Sequence, residues 1–107
     1  MTVYICCVSG FSSSILGANL EKWLGLRTDE PVFVEAASSK QLRDEGEMAD
    51  VILLAPQMAC SRTKFEAQFP DIPILNIDSR DYGLGRVEKI GQDILAVLKT
   101  GKPDFKE

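Results

Sequence analysis

The run Val3-Tyr4-Ile5-Cys6-Cys7 is β-branched, aromatic or sulfur-bearing at every position, the pattern of a strand buried on both faces of a parallel sheet. At Val8-Ser9-Gly10-Phe11-Ser12-Ser13-Ser14 the chain turns abruptly small and hydroxyl-rich. From Ile15 the apolar spacing becomes helical, with Leu16, Leu20, Trp23 and Leu24 on one stripe. A strand, a short turn and a helix start in that order restrict the chain to a βα unit. They also build an anion cradle, because the unbonded N–H groups of the first helical turn and the positive end of its dipole face the turn. Cys7 stands at the strand end beside that cradle, and a helix N-terminus favours thiolate over thiol. A thiolate next to a phosphate-sized nest points to chemistry in which cysteine takes a phosphoryl group. The phosphate-binding run is therefore Val8, Ser9, Gly10, Phe11, Ser12, Ser13 and Ser14, in which the backbone N–H groups bind and the serines cap the helix.

The remaining chain repeats the alternation of strand and helix. Gly25 is placed to cap the first helix. Val32-Phe33-Val34-Glu35-Ala36 reads as a second strand, and Ser38 followed by Gln41 has the spacing of a capping box for a short helix from Ser39 to about Glu45. Asp50-Val51-Ile52-Leu53-Leu54-Ala55 reads as a third strand, ended by Pro56. A weak helical pattern runs from Met58 to Phe69, and Ile74-Leu75-Asn76-Ile77-Asp78 forms a fourth strand. Asp81-Tyr82-Gly83-Leu84-Gly85 reads as a loop, with Asp78 and Asp81 capping the last helix. In that helix Val87, Ile90, Ile94 and Val97 form the apolar face. The charged residues from about 101 to 107 read as a frayed tail. The expected architecture is a single α/β domain over residues 1–107, with a four-stranded parallel sheet and helices on both faces. Right-handed crossovers favour strand order 2-1-3-4. That order sets the turn after Cys7 opposite the Ala55-Pro56-Gln57-Met58 turn, at the carboxyl ends of neighbouring strands.

Composition narrows the chemistry. The 107 residues carry a net charge of −4, which disfavours nucleic acid or an anionic membrane as the main partner. With no histidine, any imidazole in the mechanism comes from another protein. Three cysteines, two of them adjacent, make neither a disulfide framework nor zinc-ligand spacing, so neither metal nor cofactor is expected. No apolar run approaches the ~20 residues that span a bilayer, and no signal peptide is visible, so the chain reads as cytoplasmic. Side chains alternate along a strand, which turns Cys6 away from Cys7 and into the core. Cys60 reads as structural or incidental.

Three segments resemble the lactose/cellobiose-type IIB proteins of the bacterial sugar phosphotransferase system. They are the run from Ile5 to Ser14, then Val51-Ile52-Leu53-Leu54-Ala55-Pro56-Gln57, then Ile77-Asp78-Ser79-Arg80-Asp81-Tyr82-Gly83. They stand in the family's order and spacing. The chain departs from the family pattern at Ala55, where glycine is frequent, and at Cys60, where a larger side chain is common. The resemblance implies a phosphoryl carrier. A cysteine matching Cys7 accepts the group from a phosphohistidine of the IIA protein and passes it to a sugar held by the IIC membrane transporter. It also implies peripheral association with that transporter, without insertion into the membrane. Pro56, Gln57 and Tyr82 border the cysteine, and direct contact and mere packing both remain open for Gln57 and Tyr82.

Two rival readings use the same fold. A low-molecular-weight tyrosine phosphatase or arsenate reductase also places a cysteine at the end of strand 1. It needs an arginine six residues later to clamp the phosphoryl oxygens, and here that residue is Ser13. It also needs an acid for the leaving group and a base for water, whereas a carrier is better served by slow hydrolysis. A non-catalytic interaction domain would dispense with the nucleophile, which this chain retains.

Overall fold

The computed structural model describes residues 1–7 and 13–100. The turn expected over residues 8–12 and the tail expected from 101 lie outside the described residues. Four strands form one parallel sheet in the order β2-β1-β3-β4, as the alternation predicts. They are β1 (Thr2–Cys6), β2 (Phe33–Ala37), β3 (Val51–Leu54) and β4 (Ile74–Asn76). In the register, Val3 stands between Val34 and Val51, and Cys6 between Ala37 and Leu54. The central strands β1 and β3 are almost wholly buried, which is why they read as unbroken apolar runs.

Alternation along those strands builds two cores. On one face, Val3, Ile5, Val51 and Leu53 pack beneath Leu16, Leu20 and Leu24 of α1 (Ser13–Gly25) and Ile90 and Ile94 of α5 (Val87–Thr100). On the other, Tyr4, Cys6, Ile52 and Leu54 meet Leu42 of α2 (Ser39–Glu45) and Phe65 of α3 (Arg62–Gln68). A leucine as fully enclosed as Leu20 contributes about 2–3 kcal/mol by leaving water. The edge strand β2 is partly exposed, and Phe33 keeps 59% of its surface. Its Val34 N–H donates to Glu21 Oε1 of α1 at 3.0 Å. That carboxylate occupies a backbone donor that would otherwise invite another strand.

The capping box at Ser38 forms as expected, its hydroxyl accepting the Gln41 N–H at 3.2 Å. Five expectations are corrected. The second strand is Phe33–Ala37, one residue later than its apolar run, with Val32 packed against the α1 side of the core. The weak pattern from Met58 to Phe69 divides into a 3-10 segment, Pro56–Ser61, and then α3. Pro56 lacks an N–H and suits the first turn of such a segment, which begins with Met58 N–H donating to Ala55 C=O at 2.8 Å. The segment Asp81 to Gly85 is not a loop. A short helix, α4 (Ser79–Leu84), covers most of it. Asp78 caps α4 rather than the last helix, accepting the Arg80 N–H at 2.8 Å, and Asp81 sits buried within the helix.

The fifth correction concerns glycine. Gly25 ends α1 without a left-handed turn, and the chain leaves the helix through Arg27 and Thr28 N–H groups donating to Leu24 C=O. Gly85, at φ 68°, is the one described residue with positive φ, and it stops α4. The two glycines should therefore respond oppositely to alanine. Gly85→Ala is expected to cost about 1–2 kcal/mol, because a Cβ is strained in the left-handed region. Gly25→Ala, with nothing within 4 Å of the added Cβ, is expected to stabilise by about 0.5 kcal/mol. Urea unfolding of the two variants checks both signs, and a destabilised Gly25→Ala would show that the helix end needs glycine.

Candidate functional site

The carboxyl ends of the strands are tied together by backbone bonds. Cys7, the residue after β1, donates its N–H to Ala37 C=O of β2 at 3.1 Å. Cys6 C=O accepts the Ala55 N–H at 2.9 Å, and Leu54 C=O accepts the Ile77 N–H at 2.9 Å. The Cys6–Cys7 peptide is thus held from both sides, by β2 and by the end of β3. The next described element is α1, whose first residue, Ser13, comes six positions after Cys7.

Cys7 is 1% exposed, and none of the three cysteines is in a disulfide. Cys6 lies wholly inside the Tyr4, Leu42, Leu54 and Phe65 cluster, where alternation put it. Burial pushes the Cys6 thiol up from its ordinary 9.0 to about 11. Charge on Cys7 raises it further, and Arg43 partly offsets the rise. Cys6 therefore stays a neutral thiol at physiological pH, unsuited to nucleophilic work. A raised folded pKa also sets the sign of its pH dependence. The unfolded chain ionises Cys6 from about pH 9, so this contribution to stability is complete below that value and is lost as pH rises through about 11. Iodoacetamide at pH 8 is expected to leave Cys6 unmodified in the folded protein while exposed Cys60 reacts. Peptide mapping that found Cys6 alkylated before unfolding would contradict this.

Pro56 and Gln57 open the 3-10 segment that follows β3, the strand beside β1. The Ala55–Cys6 bond brings this turn alongside Cys7, with Pro56 half-buried and Gln57 exposed. Tyr82 is placed differently. It stands on α4, beyond β4, and packs half-buried against the core under α1 and α5. Ser13 and Ser14 open α1, whereas Val8, Ser9, Gly10, Phe11 and Ser12 lie outside the described residues. The β2–α2 turn was not singled out from sequence as part of this edge, yet Ala37 holds Cys7 directly. The signal for it was the Ser38 cap, since a strand ending immediately before a helix N-cap puts its last carbonyl at the sheet edge. Among the described residues no three His, Cys, Asp or Glu side chains group so as to hold a metal ion. No described helix is long and apolar enough to cross a membrane.

An open parallel sheet ordered 2-1-3-4, with a cysteine at the switch point between its first and third strands, defines an α/β domain of the doubly wound kind. The model of the family described as the lactose/cellobiose-specific IIB subunit of the phosphotransferase system matches residues 2–93, and the chain belongs to that family. It is a IIB component of a sugar phosphotransferase system, with the general phosphotransferase role and the IIA and IIC association that the family carries. Among solved structures it is similar to the cellobiose-specific phosphotransferase IIB component of Borrelia burgdorferi. The two are 28% identical over 95% of this chain and 94% of that one, with a TM-score of 0.75. The lactose-specific IIB domain of Streptococcus pneumoniae shares the fold at a TM-score of 0.71 and 19% identity, over 92% of this chain and 95% of that one.

Proposed function

We propose that this protein is a cytoplasmic phosphoryl carrier that works through Cys7. The cysteine sulfur attacks the phosphorus of a phosphohistidine on the IIA protein. An S–P bond forms, the N–P bond breaks, and the imidazole keeps the electron pair. A hydroxyl of a sugar held by the IIC transporter then attacks the same phosphorus. The S–P bond breaks, the thiolate returns, and the hydroxyl proton leaves to solvent or a neighbouring base. Backbone N–H groups of residues 8–14 bind the phosphoryl oxygens, and Pro56, Gln57 and Tyr82 border the partner-facing edge. The observation that supports this best is the position of Cys7. Hydrogen bonds from the strands on either side hold its peptide at the carboxyl edge, six residues before the start of α1, in a chain of the IIB family. Cys6 is a poor competitor, because its thiol is buried and holds its proton.

Such a carrier needs an entry and an exit for the phosphoryl group and no means of hydrolysis. Ser13 stands where a phosphatase of this architecture would need its clamping arginine, which favours transfer over hydrolysis. Intact-mass measurement after incubation with phosphoenolpyruvate, the general phosphotransferase proteins and the IIA protein tests the reading. A gain of one phosphoryl group, labile to added IIC with sugar, is the expected result. An unmodified mass under conditions that phosphorylate IIA would overturn it.

A further inference from the structure

A cleft lies at the β4 side of the sheet, bounded by β4, α4 and α5. Leu53, Leu75, Ile77 and Ile90 form its apolar floor. Its polar rim is Asn76, Asp78, Asp81, Lys89 and Asp93, so three carboxylates face one ammonium group. That single cation is already engaged, with Lys89 Nζ 3.5 Å from Asp93 Oδ2. Asp78 is partly satisfied, its Oδ1 accepting the Arg80 N–H. Asp81 is not. It is 7% exposed, the one charged residue buried among those described, and its carboxylate has no hydrogen-bond or ion-pair partner among the described residues. Asp81 lines the cleft, and its carboxylate oxygens are not among the fully enclosed atoms lacking a partner.

A largely buried aspartate whose carboxylate lacks a partner favours a bound cation, which would supply the charge and donors that the described residues do not. The described carboxylates do not group as metal ligands, and the floor is apolar. An ammonium or guanidinium head on an alkyl stem matches both features, since the stem covers the floor while the head meets the acids. The geometry points to a binding site for an alkylammonium or alkylguanidinium group at this cleft, with Asp81 as the principal acceptor and Asp78, Asp93 and Asn76 at its rim. The cation comes either from a lysine or arginine side chain of a docking protein or from a free amine. The cleft adjoins the carboxyl end of β4, two strands along from Cys7 in the order β2-β1-β3-β4.

Backbone amide shifts of the full chain, followed during titration with N-acetylarginine amide, test the site directly. Saturable shifts confined to Asn76, Asp78, Asp81, Lys89 and Asp93 are expected, with N-acetylnorleucine amide giving none. Asp81→Asn is expected to weaken binding about tenfold. Asp93→Asn, at an exposed position that does not risk the fold, should weaken it less. Lys89→Met removes the internal competitor and should tighten it. Shifts spread evenly over the acidic surface, or a Lys89→Met variant that binds more weakly, would overturn the proposal. A second arm rests on the phosphorelay reading and follows transfer from phosphorylated IIA. A raised KM at unchanged kcat in Asp93→Asn assigns the cation to that partner, and an unchanged KM assigns it to a free amine. Failure of the wild type to accept a phosphoryl group would remove the relay and leave the titration standing.

Discussion

Cys7→Ser is expected to abolish phosphorylation by IIA while the protein stays folded. Serine is close in size, and the Cys7 N–H that bonds Ala37 belongs to the backbone, so the strand end keeps its anchor. What is lost is the sulfur nucleophile, since a serine hydroxyl has no thiolate equivalent near neutral pH. The control is the adjacent residue. Cys6→Ser puts a hydroxyl among Tyr4, Leu42, Leu54 and Phe65 and should cost about 1–3 kcal/mol of stability, yet transfer should persist below the melting temperature. Cys60→Ser, at an exposed position, should change neither property. The pair separates stability from chemistry, because the more destabilised variant is the one expected to work. Phosphorylation of Cys7→Ser, or its loss from folded Cys6→Ser, would move the acceptor elsewhere.

The second large effect lies in the contact between α1 and α5. Gly91 of α5 is buried against the ring of Trp23, and a Cβ added there would fall inside the contact distance of Trp23 Cε3 and Cζ3. The ring is held by packing, since its Nε1 has no hydrogen-bond partner, and the Arg27 guanidinium lies 3.8 Å from the ring centroid. Gly91→Leu gains about 0.8 kcal/mol of helix propensity. It must also displace the indole or part the two helices, at about 3 kcal/mol. The net loss of about 2 kcal/mol corresponds to a melting point lower by about 10 °C in a domain of this size. Trp23 is the sole tryptophan, so its fluorescence reports the displacement in the folded state before any unfolding. An unchanged emission spectrum with unchanged stability would mean that the helices close over this contact in some other way.

These two sites differ in how far the sequence announces them. The position of Cys7, between β1 and α1, was legible because its marks are local: an apolar strand, a sudden change to small residues, and a helical stripe, all between Val3 and Leu24. The capping box at Ser38 and Gln41 was legible for the same reason. The helix α4 was missed although its marks were present, Asp78 as N-cap and Gly85 as stop, because two glycines among so few residues outweigh a helical reading. The division of the segment after Pro56 was missed because a 3-10 turn and an α-turn share almost the same apolar spacing over so short a run.

Patterning alone determined the alternation of strands and helices, the burial of β1 and β3 on both faces, and the place of Cys7 at a strand end. Each is a property of neighbours in the chain, imposed by the two-residue repeat of a strand and the 3.6-residue repeat of a helix. Only the tertiary structure decided that Gly91 must be bare for Trp23 and that Glu21 covers the Val34 N–H at the sheet edge. It alone decided that Asp81 is buried with no side-chain partner among the described residues. Those facts depend on which surfaces meet when distant segments pack. An aspartate or a glycine carries the same local signal whether the helix opposite it stands close or far.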